Sequence, residues 1–164
     1  MYKGIYIEDD DSNILVIQTL FEQEGLEVEA LSGLPESKED LYALLLEKKA
    51  DFLLIDHELN KKVNYNGYEA LQSIRDQDST LYAVLLTNFR VEDFKNEFGI
   101  YDMEVYKGDL QHDDKIREIS EKIKRACARA DDAESLACAK ESRKYAEERL
   151  EILRQIQAQI TKKE

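Results

Sequence analysis

The chain predicts an α/β fold, a doubly wound five-stranded parallel sheet followed by a long α-helical tail. Three observations carry that expectation. Apolar runs without alternation stand at 5–7, 52–55 and 82–86, as in strands buried on both faces of a parallel sheet. Between them lie segments whose apolar residues recur every three or four positions, the helical spacing. After Gly108 the remaining 56 residues contain no glycine or proline, so nothing there interrupts a helix.

Ile5-Tyr6-Ile7 reads as strand one and runs directly into Glu8-Asp9-Asp10-Asp11. Asp11 or Ser12 can cap the next helix, whose apolar face is Ile14, Ile17, Leu20 and Phe21 and which Gly25 stops. Glu27-Val28-Glu29-Ala30-Leu31 alternates, as a strand nearer a sheet edge does. Pro35 marks a loop, and Leu41, Leu44 and Leu45 form a second helix. The third strand, Phe52-Leu53-Leu54-Ile55, ends at Asp56. A polar loop from Asn60 to Asn66 leads to Gly67, which opens a third helix with Ala70, Leu71 and Ile74. Tyr82 to Thr87 is strand four; Val91, Phe94 and Phe98 read as a short helix closed by Gly99; Met103 to Tyr106 is strand five, ended by Lys107-Gly108. Strand–helix alternation implies right-handed crossovers and fits the strand order 2-1-3-4-5. Strands one and three are then neighbours, and their carboxyl ends bring Glu8-Asp9 beside Asp56.

At 164 residues, 43% of them hydrophobic, the chain suits one domain with an extension: residues 1–128, then a helical tail over 129–164. Residues 1–108 hold 10 Lys and Arg against 23 Asp and Glu, whereas 109–164 hold 13 of each. The first part repels nucleic acid and anionic membrane, and the second has no basic surplus to read DNA. No apolar run approaches membrane-spanning length, and the N-terminus does not read as a signal peptide. Cys127 and Cys138 are eleven residues apart, about 16 Å along a helix, too far to bridge. A cytoplasmic, reducing location follows as the expectation, with the cysteines as ordinary helix residues.

Carboxylates crowded at one sheet edge repel unless positive charge sits among them. A hard divalent cation, magnesium above all, is the usual answer, with one or two protein carboxylates, waters and a phosphate around it. Lys107 adds an ammonium at the end of strand five, and Thr87 a hydroxyl at the end of strand four. An acid, a metal, a lysine and a threonine around one point describe a phosphoryl site with a carboxylate nucleophile.

Residues 1–128 resemble a response-regulator receiver domain of two-component signalling, a flavodoxin-like fold. The resemblance rests on Tyr6-Ile7-Glu8-Asp9-Asp10, Leu54-Ile55-Asp56, Gly67-Tyr68-Glu69-Ala70-Leu71, Leu85-Leu86-Thr87-Asn88 and Tyr106-Lys107, in that order at strand ends. It implies that Asp56 accepts phosphate from a histidine kinase or phosphotransfer protein. It implies Mg2+ on Asp9 and Asp56, on Glu8 through water and on the backbone carbonyl of Glu58. Lys107 would pair with the phosphoryl group and Thr87 would move to bond it. Self-phosphorylation and autodephosphorylation would be the only chemistry, with no turnover of outside substrates. The chain departs from the family pattern in three places. The loop from Asp56 to Gly67 is longer and lacks its usual proline, Gly108 stands where a proline commonly follows the lysine, and Glu104 replaces the usual aromatic switch residue.

In the tail, Ile116, Ile119, Ile123, Ala126, Ala130, Ala133 and Ala137 step by three and four. Lys140 and Lys144 break the seam, which resumes as Ala146, Leu150, Leu153, Gln157 and Ile160. The first turns belong to the receiver. The rest continues as a long helix or turns back at Asp131-Asp132 as a hairpin. A thin apolar stripe does not hold a lone helix in water, so a homodimeric coiled coil or a helical effector is expected to cover it. A solvated linker to a further domain is the alternative. Two other functions stay in view: a receiver-shaped interaction module that is never phosphorylated, suggested by Glu104 and Gly108, and a metal-dependent phosphotransferase or nuclease using the same acids, which the negative charge disfavours.

Overall fold

The structure is a computed structural model whose described residues are 1–59, 61–88 and 99–161, excepting the side chains at 139, 160 and 161. The strands are β1 (Lys3–Ile7), β2 (Glu27–Ala30), β3 (Phe52–Asp56), β4 (Tyr82–Thr87) and β5 (Met103–Tyr106). The helices are α1 (Asp11–Gln23), α2 (Leu41–Glu47), α3 (Gly67–Gln77) and α4 (Asp113–Thr161), with 3-10 turns at Lys38–Asp40 and Lys107–Gln111. All strand pairs are parallel and the sheet order is β2-β1-β3-β4-β5, as expected. The helix expected over 91–98 lies outside the described residues, as does Asn60.

Alternate residues of the buried strands feed two cores. Ile5, Ile7, Leu53, Ile55 and Leu85 pack with Leu41 and Leu45 of α2 and with Ala70, Leu71 and Ile74 of α3. On the other face Tyr6, Leu54, Val84 and Leu86 pack with Ile17 and Phe21 of α1 and with Ile116, Ile119, Ile123 and Cys127 of α4. Burial on both faces is why β3 and β4 read as unbroken apolar runs.

Local signals set the helix starts. Asp10, rather than Asp11 or Ser12, caps α1, accepting from the Ser12 amide at 3.1 Å. An acidic run offers several caps, and the one chosen is the first residue after the two that enter the sheet-edge cluster. Asn66 and Glu69 form a reciprocal capping box at α3. Gly67 is required by close approach, since a Cβ there would lie 2.0 Å from the Asp56 carbonyl oxygen. Its amide donates to the His57 carbonyl at 2.8 Å, which ties the start of α3 to the end of β3. At Gly108 no cis peptide is present, and a Cβ would fall 2.3 Å from Tyr106 Cε1, so the ring of Tyr106 occupies that space.

The chain divides into two compact units, Met1–Cys127 and Ala128–Glu164. Within the first, the seam inherits Ile116, Ile119 and Ile123 as read, but Cys127 rather than Ala126 is its next buried member. Cys127 is thus a core residue, whereas Cys138 is exposed. The second unit is helical without a break at Asp131-Asp132, so the hairpin alternative is not adopted. Its described side chains are exposed, including Leu136, Tyr145, Leu150, Ile152, Leu153 and Ile156. No helix among the described residues is long and apolar enough to cross a membrane.

Gly67→Ala should destabilise the protein by about 2 kcal/mol, the scale of forced overpacking, because the methyl meets backbone and not a mobile side chain. Urea unfolding midpoints of the two proteins check this, and an unchanged midpoint would show that the α3–β3 junction relaxes freely.

Candidate functional site

Parallel register builds the site. Ile7 pairs with Ile55 and Asp56 with Leu86, so the next residues along β1, β3 and β4 emerge side by side. One carboxylate oxygen from each of Glu8, Asp9 and Asp56 lies within 4.8 Å of the others. All three residues are buried. Lys107, leaving β5, reaches across with its Nζ 2.7 Å from Glu8 Oε2 and 3.1 Å from Asp56 Oδ2.

Each acid is held differently. Glu8 Oε2 also accepts from the Tyr6 hydroxyl at 2.7 Å, while Oε1 accepts the Asp9 and Asp10 amides at 2.9 and 3.1 Å. Both of its oxygens are therefore engaged. Asp9 Oδ2 accepts the Lys61 amide at 2.8 Å. Asp56 gives Oδ2 to Lys107, but its Oδ1 is buried and accepts no hydrogen bond from the described residues. A cavity of about 280 Å3 adjoins these groups, walled among others by Glu8, Asp9, Asp56, Glu58, Lys61 and Asn88.

Charge makes the arrangement costly. Burial pushes the Asp56 carboxyl up to about 7, with the Glu8 charge adding to the rise and Lys107 opposing it. Asp9 is also raised, by burial first and by Glu8, against the Lys61 amide. Burial acts on Glu8 in the same sense, yet the hydrogen bonds from Lys107 and Tyr6 outweigh it and hold its carboxyl below the usual range. Burial keeps the Tyr6 phenol strongly protonated beside Glu8. Were all three acids ionised, Lys107, which among the described residues supplies the ion pairs to them, would offset one charge and leave two, the deficit one divalent cation cancels. Oxygen donors, a partnerless buried carboxylate oxygen and an adjoining cavity fit Mg2+.

Of the residues singled out by sequence, Glu8, Asp9, Asp56 and Lys107 come together at this edge. Thr87 is buried at the end of β4, one step beyond the register partner of Asp56 and opposite Tyr106. Glu58 is exposed and lines the cavity wall. Glu104 is half-buried and accepts from the Tyr101 hydroxyl at 3.1 Å. Sequence reasoning missed Tyr6 and Lys61. Tyr6 stands two residues before Glu8, on the same strand face, so its phenol was a readable partner. Lys61 sits in an irregular loop that carries no periodicity.

This geometry and fold define a receiver. The response regulator receiver domain family matches residues 5–106, and the chain belongs to it. Receiver domains are phospho-accepting signalling modules that take Mg2+ at an acidic pocket. No curated protein matches the chain. Solved structures show the same fold. The response regulator TrrA of Thermotoga maritima, in complex with Mg(2+)-BeF, aligns at 19% identity and TM-score 0.59, covering 77% of this chain and 99% of that one. The complex of the histidine kinase ThkA with TrrA aligns at 19% and 0.59, covering 75% and 98%. A receiver domain protein of Clostridium thermocellum aligns at 20% and 0.60, covering 80% and 98%.

Asp56 makes stability depend on pH. An unfolded aspartate titrates near 3.9, so between about pH 4 and pH 7 the folded state keeps a proton that the unfolded chain releases. Stability from this group is full below about pH 4 and is lost as pH rises through about 7. With divalent ions chelated, Asp56→Asn should therefore be more stable than the parent at pH 8, by on the order of 2–4 kcal/mol, and show little gain at pH 4. Denaturant titrations across that range test it; a gain independent of pH would mean that Asp56 ionises as an ordinary carboxylate.

Proposed function

We propose that this receiver accepts a phosphoryl group on Asp56 from a phosphohistidine and reports it through its helical tail. One observation carries the reading: a buried carboxylate oxygen without a partner, Asp56 Oδ1, in a residue whose other oxygen is held by Lys107 beside an open cavity. The nucleophile is oriented by the ammonium on one oxygen while the second stays available. Its attack forms the Asp56 O–P bond as the donor's P–N bond breaks, and the imidazole leaves with that electron pair. Lys107 then stands within reach of the phosphoryl oxygens. Asp9, Asp56 and the Glu58 carbonyl are the groups that would hold Mg2+, and Glu8, both of whose oxygens already accept hydrogen bonds, would support them indirectly. The bound ion supplies charge neutralisation for the incoming phosphoryl group. Thr87 bonds the phosphoryl group from the end of β4. Water attack on the acyl phosphate returns Asp56, so the chain is a signalling acceptor with no outside substrate. A histidine kinase or phosphotransfer protein is the natural donor; the similar response regulator TrrA was solved in complex with the histidine kinase ThkA.

A small phosphodonor with Mg2+ should add one phosphoryl mass to the protein. Asp56→Asn should abolish the gain, and Lys107→Met should slow it by at least tenfold through loss of transition-state charge stabilisation. Labelling that persists in Asp56→Asn refutes the acceptor assignment.

The tail is the proposed output. Leu136, Tyr145, Leu150, Ile152, Leu153 and Ile156 are 49–64% exposed on the part of α4 beyond Cys127. A second copy in a parallel coiled coil, or an effector helix, would cover them, with the stretch from Leu150 onward carrying much of the association. Solution mass should correspond to a dimer for the full chain and to a monomer after removal of 129–164 or in Leu150→Glu/Leu153→Glu. A monomeric full chain at high micromolar concentration leaves the effector reading in place of self-association. The rival reading, an interaction module never phosphorylated in use, draws on Glu104, whose carboxylate is bound to Tyr101 where an aromatic switch would turn. Tail association that ignores phosphodonor, Mg2+ and the Asp56 substitution would favour it.

A further inference from the structure

The β3–α3 loop brings two lysines onto the acidic start of α1. Lys61 donates its amide to Asp9 Oδ2 at 2.8 Å and its ammonium to Asp10 Oδ2 at 2.8 Å. Lys62 Nζ lies 3.2 Å from Asp11 Oδ1. The two contacts differ in kind. Lys61 engages an acid of the metal-competent triad and lines the same cavity as Asp56. Lys62 engages Asp11, which belongs to neither. Lys61 is also tethered twice, through backbone and side chain, to consecutive residues of one segment.

From this we infer that Lys61 is a positioning residue for the metal ligand Asp9, fixing one oxygen of that carboxylate and with it the carboxylate's orientation beside Glu8 and Asp56. The inference rests on the proposed Mg2+ site and goes beyond it, by giving the lengthened loop a task. A carboxylate with one oxygen hydrogen-bonded loses the rotations that would turn its second oxygen away from a cation. The ammonium on Asp10 holds the loop where its amide can reach Asp9. It also cancels the charge of Asp10, an acid at the cavity that would otherwise compete for cations without completing the triad. Backbone donation makes the contact indifferent to the side chain in itself. The side chain is what anchors the backbone.

A positioning role for Lys61 has the opposite sign to the one simple electrostatics predicts. Removing a positive charge beside a cation site should tighten Mg2+. Removing a positioning residue should weaken it. Calorimetric titration of the full chain with Mg2+ at neutral pH separates the two, with Lys62→Ala as the charge-matched control. Lys61→Ala should bind Mg2+ about tenfold more weakly, the lower end of what outer contacts to metal ligands contribute, while Lys62→Ala binds as well as the parent or better and Lys61→Arg restores affinity. Equal changes in Lys61→Ala and Lys62→Ala, or tighter binding in Lys61→Ala, overturn the inference. If Lys61→Ala does not fold, amide exchange in the parent decides instead. The Lys61 amide proton should exchange more slowly with Mg2+ bound, and faster or unchanged exchange overturns the inference. Failure of the parent itself to bind Mg2+ would count against the proposed metal site, a separate result from any difference among the variants.

Discussion

The constraint on which this receiver is built is a charge that cannot be left alone. Three carboxylates converge at a sheet edge where each is nearly out of water, and among the described residues a single ammonium, that of Lys107, is ion-paired with two of them. Desolvating several like charges is expensive, and one cation only partly offsets it. The surrounding hydrogen bonds are therefore not incidental. The Tyr6 phenol, the Asp9 and Asp10 amides and the Lys61 amide all donate into the cluster. They spread across Glu8 and Asp9 and leave Asp56 Oδ1 without one. The instability is thus concentrated on the atom that chemistry would use. A group held in an unfavourable state is the one that gains most from a cation or a covalent partner.

Much of this was written in the pattern of apolar residues. Phe52-Leu53-Leu54-Ile55 lacks alternation because both faces of β3 are covered, one by α2 and α3, the other by α1 and the start of α4. Once β1 and β3 are known to be parallel neighbours, the pairing of Ile7 with Ile55 leaves Glu8 no place but beside Asp56. Sheet order and acid cluster are therefore the same piece of information read twice. Lys107 follows from the same logic at the end of β5.

What stayed hidden was decided by contacts that have no period. The Lys61 tether joins an irregular loop to a helix start some fifty residues away, and neither end of it changes a hydrophobic pattern. The cap of α1 could have been any of several acids, because an acidic run satisfies the helix dipole wherever it is cut. Cys127 rather than Ala126 continues the seam because both a three- and a four-residue step from Ile123 fit the helical period, and the pattern alone does not choose between them. The continuity of α4 through Asp131-Asp132 was ambiguous for a related reason. Acids there would cap a helix that began at that point, but a cap does not create an end, and no glycine or proline supplies one.

Glu104 bears on how information leaves the site. An aromatic ring can swing between solvent and an apolar slot at little electrostatic cost. A carboxylate cannot, because entering the slot would strip its water, and here it is already engaged by the Tyr101 hydroxyl. On the proposed reading, added negative charge at Asp56 draws on Lys107 before anything else, since that ammonium is shared with Glu8. Lys107 is also the first residue of the 3-10 turn Lys107–Gln111, whose Leu110 lies in the same core as Ile116 and Ile119 of α4. The absent proline matters in this light. Gly108 leaves room for the ring of Tyr106 against the start of the turn, space that a side chain at that position would fill. On that reading, a route along Lys107, the turn and the base of α4 would need no aromatic rotation, and it would begin at the ammonium that Glu8 and Asp56 share.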